Sequence, residues 1–373
     1  MVDRRVFYCR NDGMTVACVL VDDTFFFTTH QPTLDTFLKA WSDVFESSIG
    51  TRKPGVLDFG GVTYTRIGDT MELSSDRLID DLAERLVAYP LPPHSKADSP
   101  LSLDKFSELR DEVIGIENPT YGPQMVQEAQ GLLGLGGFLS NTIKPDGLTA
   151  YSVLSQKVGH YLTRAVWDTL VRFCHYIVQS KRHRLTLHKA PRRGPQDKGA
   201  DSLVMYVDSS CINGSEGESR AGYVLTTAVP GVSYGGAIMA RSMNPRKLGT
   251  SSAAAELVAA SEVAKEVEAY RILLRELGLC HEGPTDVYMD AQAVLAGTMR
   301  EKVSRSMRYM AVRYAILRHA VTVGMLRLLK VATENNVSNI LTKPVVGRAF
   351  LRERALLLGL PEPSSQGRQI HPT

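Results

Sequence analysis

Cysteine is too scarce and too scattered in this chain to organise a fold. The five (Cys9, Cys18, Cys174, Cys211 and Cys280) are odd in number and include no C-x-x-C pair. Neither a disulfide framework nor a structural zinc site is indicated. Long apolar runs are missing too. None is long enough to span a bilayer, and the apolar stretch near the N-terminus is broken by Arg10-Asn11-Asp12-Gly13, which argues against a secretory leader. A soluble, intracellular protein of a reducing compartment, cytoplasm or nucleus, is expected, with no membrane partner. Charge surplus is the third absence. The 43 basic and 40 acidic residues leave a net charge of +3, so any surface for a polyanion must come from local clustering. What is present is core material. Of 373 residues, 43% are hydrophobic and 22% charged, which suits two or three ordinary globular domains.

Three acids stand in three different settings between residues 203 and 290. Leu203-Val204-Met205-Tyr206-Val207-Asp208 is short, apolar and β-rich, and predicts a buried strand closing on an acid. A polar turn over 209–220 and a return strand at Ala221-Gly222-Tyr223-Val224-Leu225 follow. Thr250-Ser251-Ser252 predicts a helix start, with Glu256 on a helix over 253–274. Val287-Tyr288-Met289-Asp290 predicts another short strand ending on an acid, before a helix over 291–299. Taken singly, Asp208 reads as a turn residue, Glu256 as a solvated helix residue and Asp290 as a helix N-cap. Taken together, strand-end acids and an acid on a covering helix converge at one sheet edge. Such a cluster repels itself unless cations sit in it, and two Mg²⁺ ions about 4 Å apart are the usual solution for phosphodiester chemistry.

Five blocks carry a family resemblance. They are Tyr206-Val207-Asp208-Ser209, Gly222-Tyr223, Ser251-Ser252-Ala253-Ala254-Ala255-Glu256, Tyr288-Met289-Asp290-Ala291-Gln292-Ala293 and Ile340-Leu341-Thr342-Lys343-Pro344. Their order and spacing resemble the ribonuclease H domain of Ty1/copia-type retrotransposon polyproteins. The Leu-Thr-Lys-Pro block is the most specific, and nothing in the sequence gives a physical reason for it. The resemblance implies that Asp208 bridges two ions and that Glu256 and Asp290 each hold one side. Asn339 stands where such domains carry a fourth acid. An amide keeps an oxygen but not the charge, so Asn339→Asp is expected to lower the Mg²⁺ requirement.

The N-terminal part fits the same resemblance. Residues 7–29 predict a hairpin region, with Asn11-Asp12-Gly13 and Val21-Asp22-Asp23 at turns. Paired acids at a hairpin tip resemble the catalytic turn of a polymerase palm; the plain alternative is a polar turn with two solvated acids. Leu34, Phe37, Leu38, Trp41, Val44 and Phe45 predict one apolar helix face. Short strands around 62–67 and 70–73 and a helix bearing Leu78, Leu82 and Leu86 follow. The resemblance makes this the end of a palm with its thumb and connection. The earlier palm acid has no counterpart, so Asp22 and Asp23 read as a vestigial polymerase turn, and the chain alone is not expected to polymerise.

The fold expectation is α/β. A ribonuclease H-like mixed five-stranded sheet with flanking helices follows an α+β truncated palm, thumb and connection. The divisions are residues 1–178, a basic linker at 179–200, the ribonuclease H-like domain at 201–350 and a tail at 351–373. The linker carries Lys181, Arg182, Arg184, Lys189, Arg192, Arg193 and Lys198. It reads equally as a strap that tracks phosphates, through Lys181, Arg182, Arg184, Arg192 and Arg193, and as a solvated spacer. The expected reaction is Mg²⁺-dependent hydrolysis (Mn²⁺ being the alternative) of the RNA strand in an RNA–DNA hybrid. The catalytic candidates are Asp208, Glu256, Asp290 and Asn339. The missing upstream polymerase part of the same polyprotein is the expected protein partner. The competing readings are another nuclease of the same fold and a non-catalytic remnant that binds nucleic acid or a partner.

Overall fold

The structure, a computed structural model, describes residues 6–361 apart from 10–14, 21–22, 29, 45–54, 93–95, 112–120, 160–161, 190–202, 212–218, 228–234, 245–250, 278–282 and 301–304. The chain opens with an antiparallel sheet of β1 (Val6–Cys9), β2 (Thr15–Leu20) and β3 (Asp23–Thr28). Asp23 begins β3 opposite Leu20, while Asp22 lies outside the described residues. α1 (Gln31–Ser42) covers this sheet. Its Phe37 and Trp41 meet Phe26 at ring-centroid distances of 5.4 and 5.9 Å. The apolar face predicted to run on through Val44 stops short, because the helix ends at Ser42 and Val44 is 73% exposed. Phe45 lies outside the described residues.

β4 (Val56–Phe59), β5 (Val62–Ile67) and β6 (Thr70–Ser74) form a meander, and α2 (Asp76–Leu86) buries Ile79, Leu82 and Leu86. Four more helices follow: α3 (Leu103–Asp111), α4 (Pro123–Thr142), α5 (Leu148–Lys157) and α6 (Arg164–Gln179). Within the segment read as a linker, β7 (Leu185–His188) then pairs antiparallel with β6 as the fourth strand of that meander. This corrects the linker reading. Leu185 and Leu187 alternate with polar residues, a period of two that an edge strand with one apolar face requires. The strand is held on its other side as well. Thr186 O is approached so closely by Gly236 and Gly359 that a Cβ on either would lie 2.2 or 2.1 Å from it, and both glycines have positive φ, +70° and +66°.

The second sheet is built from β8 (Val204–Cys211), β9 (Ser219–Thr226), β10 (Ala237–Met243), β11 (Thr285–Met289) and β12 (Leu326–Lys330), in the order β10-β9-β8-β11-β12. β8, β9 and β10 run antiparallel; β8, β11 and β12 run parallel. The connections that make parallel pairing possible are helical: α7 (Ser252–Glu276) and α8 (Gln292–Met299) with α9 (Ala311–Thr322). Strand period sorts the side chains. Met205, Val207, Tyr223 and Leu225 face the core under α7 and α9, and Val204, Tyr206 and Val224 face the core shared with α4, α5, α6 and α10 (Gly347–Leu358). Between α8 and β12 the chain forms a 3-10 segment, Arg305–Met310, followed by α9. Met310, Tyr314 and Leu317 of this stretch are buried. Among the described residues, no helix is long and apolar enough to cross a membrane.

Candidate active site

Register places the two strand acids side by side. β8 and β11 are parallel neighbours with Tyr206 opposite Tyr288, and the two rings stack at 5.2 Å. Asp208 and Asp290 each stand two residues beyond that pair, on strands about 4.8 Å apart. β11 ends at Met289, just before Asp290, but β8 runs three residues past Asp208 to Cys211, so Asp208 lies within its strand rather than closing it. Glu256 comes from the start of α7, which lies across β8 and β9. That start is fixed by Ser251, whose side chain accepts from Ala254 N at 3.2 Å, a serine N-cap.

Each acid accepts one side-chain hydroxyl. Thr342 Oγ1 donates to Asp208 Oδ2 at 2.5 Å, Ser252 Oγ to Glu256 Oε1 at 3.2 Å, and Thr333 Oγ1 to Asp290 Oδ2 at 2.7 Å. Lys330 Nζ donates to the Asp290 carbonyl at 2.7 Å. The acids feel one another. Burial pushes the Asp208 carboxyl up, and the charge of Asp290 adds to the rise, against the Thr342 bond and Lys343. Burial likewise raises Glu256, and Asp290 and Asp208 add to it, against the Ser252 bond and Lys330. Three carboxylates held in one electrostatic field present hard oxygen donors, the chemistry that Mg²⁺ and Mn²⁺ take. Among the described residues, however, no group of three His, Cys, Asp or Glu side chains is arranged to hold a metal ion.

The Leu-Thr-Lys-Pro block acquires a physical role here. A short 3-10 turn, Val337–Leu341, lies against β8 and β9. Asn336 Nδ2 donates to Val207 O at 2.9 Å, and Ser210 Oγ donates to Thr342 O at 2.7 Å. Thr342 is thereby clamped beside Asp208, and Lys343 supplies positive field. Gly222, opposite Asp208 on β9, makes room for the turn: a Cβ there would lie 2.6 Å from Leu341 Cβ and 2.9 Å from Thr342 Cγ2.

Asn339 is buried beside this cluster, and its Nδ2 donates to Glu353 Oε1 of α10 at 3.2 Å. Glu353 is the residue that sequence reasoning missed. In Arg352-Glu353-Arg354 it looks like a solvated charged helix face, yet it is buried, and burial raises its carboxyl, with the charge of Asp208 adding to the rise. Nothing in the sequence marks this inward turn. The basic segment is only partly brought into play. Lys181 Nζ pairs with Asp80 at 2.7 Å, and Arg184 pairs with Glu72 and Asp76 at 2.6 and 2.7 Å. Arg182 is exposed, and Arg192 and Arg193 lie outside the described residues.

A five-stranded mixed sheet in this order, with helices on both faces, is a ribonuclease H-like α/β fold. Comparison with known proteins bears out the resemblance to copia-type retrotransposon polyproteins. The chain is similar to the retrovirus-related Pol polyproteins from transposons RE2 and RE1 of Arabidopsis thaliana, each 26% identical over 296 residues, 78% of this chain and 18% of the relative. It is 30% identical over 154 residues, 41% of this chain and 11% of the relative, to the Pol polyprotein from transposon TNT 1-94 of Nicotiana tabacum. The chain thus spans less than a fifth of the length of each of these curated relatives. No protein-family model matches it. Among solved structures, it is similar to a foamy viral protease-reverse transcriptase in complex with RNA/DNA hybrid, at 15% identity and a TM-score of 0.42, covering 96% of this chain and 38% of that one. It is also similar to LC11-RNase H1 isolated from compost, at 14% identity and a TM-score of 0.27, covering 38% of this chain and 92% of that one. These structural likenesses are too loose to carry a functional argument.

Proposed function

We propose that the chain is a metal-dependent endonuclease that hydrolyses the RNA strand of RNA–DNA hybrids, acting as part of a copia-type polyprotein. The observation that carries this reading is the mutual field of Asp208, Glu256 and Asp290, each with one oxygen held by a hydroxyl. Asp208, Glu256 and Asp290 would hold Mg²⁺ or Mn²⁺. When bound, the ions would lower the pKa of the attacking water and stabilise the leaving 3′ oxygen. The chain's own residues orient the donors. Thr342, Ser252 and Thr333 restrain the three carboxylates, as outer hydrogen bonds do around metal ligands. Lys330 and Lys343 place positive charge beside a polyanionic substrate. RNA would be selected through its 2′-hydroxyls in the wide minor groove of the hybrid. The remainder of a longer polyprotein would be the natural protein partner, including the strand that completes a polymerase palm around Asp22 and Asp23.

One observation favours a second reading: no three carboxylates are arranged for a single ion among the described residues. A non-catalytic remnant that binds nucleic acid would look the same. A panel of end-labelled RNA–DNA hybrid, duplex DNA and single-stranded RNA, incubated with Mg²⁺ or with EDTA, separates the two. The enzyme reading expects Mg²⁺-dependent cutting of the hybrid's RNA strand alone. Retention of the hybrid in a gel shift with no cutting would establish the remnant.

A further inference from the structure

The contact between Asn339 and Glu353 leaves an imbalance. Asn339 is 8% exposed and Glu353 7%. Beyond the single bond from Asn339 Nδ2 to Glu353 Oε1, the other oxygen of each, Asn339 Oδ1 and Glu353 Oε2, is buried with no hydrogen-bond partner. Two acceptor oxygens therefore lie buried on facing side chains with nothing donating to either. A buried carboxylate is costly unless a positive group completes it. The neighbouring arginines are engaged elsewhere: Arg352 Nη2 donates to Asn335 Oδ1 at 2.8 Å, and the Arg354 guanidinium lies over the Phe350 ring. A group that completed both oxygens would be positive and small.

Direction says where it sits. The charge of Asp208 acts on Glu353, and Lys343 acts on both. Asp208 in turn is in the field of Asp290 and acts on Glu256. The segment that carries Asn339 also carries Thr342, which is bonded to Asp208. Thr342 Oγ1 donates to the Asn339 carbonyl as well as to Asp208, so the pair that holds the orphan oxygens lies next to the residue that restrains Asp208, on the side of α10 rather than of the sheet.

We propose that Glu353 is a fourth carboxylate of this site, and that a divalent cation bound with Asp208 is also bound through Glu353 Oε2 and Asn339 Oδ1. The proposal rests on the metal-dependent reading above and extends it to a residue on the C-terminal helix. All the donors are oxygen, which suits Mg²⁺ or Mn²⁺. Charge closes as well. Asp208, Glu256 and Asp290 supply three negative charges against the four of two divalent ions, and Glu353 supplies the fourth. Asn339 then has a different meaning from the one its sequence position suggests. It is the amide that lets a carboxylate from α10 enter, and an acid at 339 would face Glu353 as a like charge.

The test is Mn²⁺ binding to the full chain, followed by calorimetry and by the electron paramagnetic resonance of free Mn²⁺, with circular dichroism as the fold check. Glu353→Gln removes the charge but keeps the shape, and its amide can donate to Asn339 Oδ1, so the local packing survives. The expected result is a second Mn²⁺ bound at least tenfold more weakly, or lost, with Asp208→Asn impairing both. Asn339→Asp is the second variant and is expected to bind Mn²⁺ no more tightly than the parent. If Glu353→Gln binds as the parent does while Asp208→Asn does not, Glu353 is only a packing partner of Asn339 and the proposal is overturned. Tighter binding by Asn339→Asp would overturn it too. If Asp208→Asn also binds as the parent does, the metal site itself is misplaced and the functional reading fails with it.

Discussion

Burial and neighbouring charge hold Asp208 and Glu256 above their ordinary pKa values of 3.8 and 4.5. A carboxyl whose pKa rises on folding binds its proton more tightly in the folded state. Its contribution to stability is intact below the ordinary value and is lost as the pH rises through the raised one. The metal-free protein is therefore expected to lose stability from these two groups as the pH climbs from about 4 toward neutrality. Asp208→Asn keeps an acceptor for Thr342 and discards the buried charge. In EDTA at neutral pH it should melt a few degrees higher than the parent, with a shallower dependence of Tm on pH. An equal or lower Tm would mean that the Asp208 charge is already compensated without a cation. Gly222 makes a second residue-scale case. Gly222→Ala puts a methyl group 2.6 Å from Leu341 Cβ, and the turn carrying Thr342 must move. The expected cost is about 1–3 kcal/mol by urea denaturation, together with loss of hybrid cleavage. Full activity in a stable Gly222→Ala protein would show that Thr342 does not need its present position.

At the scale of elements, much of the second sheet was legible and the reasons for it were not. The strand through Asp208, the return strand, the helix bearing Glu256 and the strand before Asp290 all follow from apolar runs and caps that local physics enforces. The Leu-Thr-Lys-Pro block was legible as a pattern only, because its role is a contact across 134 residues of sequence, between Thr342 and Asp208. Glu353 was invisible for the same reason: a helix residue's burial depends on what packs on it. β7 was missed although its period-two alternation was present, because four residues amid basic and breaking residues look like a linker. Its flanking charges also read differently once placed. Lys181 and Arg184 are engaged with Asp80, Glu72 and Asp76 on α2 and β6. Lys181→Ala with Arg184→Ala should cost the partly exposed pairs no more than about 1 kcal/mol each and leave the salt dependence of hybrid binding unchanged. Neutralising Arg182, Arg192 and Arg193 should flatten the slope of log affinity against log salt by roughly 0.9 for each phosphate left without its cation. The opposite ranking would restore Lys181 and Arg184 as phosphate-binding residues.

At the scale of the molecule, one of the two apolar cores ties the helices that follow the first meander to the second sheet and to α10. Ile79, Leu132, Leu154 and Phe173 share a buried cluster with Val204, Tyr206, Val224, Ile340, Phe350 and Leu357. Polar contacts cross the same seam. Thr149 Oγ1 donates to Ile340 O at 2.6 Å, and Arg220 Nη1 donates to Ser152 Oγ at 2.6 Å. The sheet that carries the acids therefore has one face finished by residues far upstream. A fragment spanning 201–373 would expose part of that face, and exposed contiguous apolar surface drives association. It is expected to aggregate or bind a hydrophobic dye, and to melt well below the full chain. A monomeric fragment with the Tm of the full chain would show that the upstream helices contribute nothing to the sheet's stability.

The measurement that bears most directly on the central claim is single-turnover cleavage of an end-labelled RNA–DNA hybrid in Mg²⁺ by the parent and by Asp208→Asn, with hybrid affinity measured alongside. The account predicts that the substitution slows cleavage by orders of magnitude while the hybrid is still bound. Equal cleavage rates for the two proteins would contradict it.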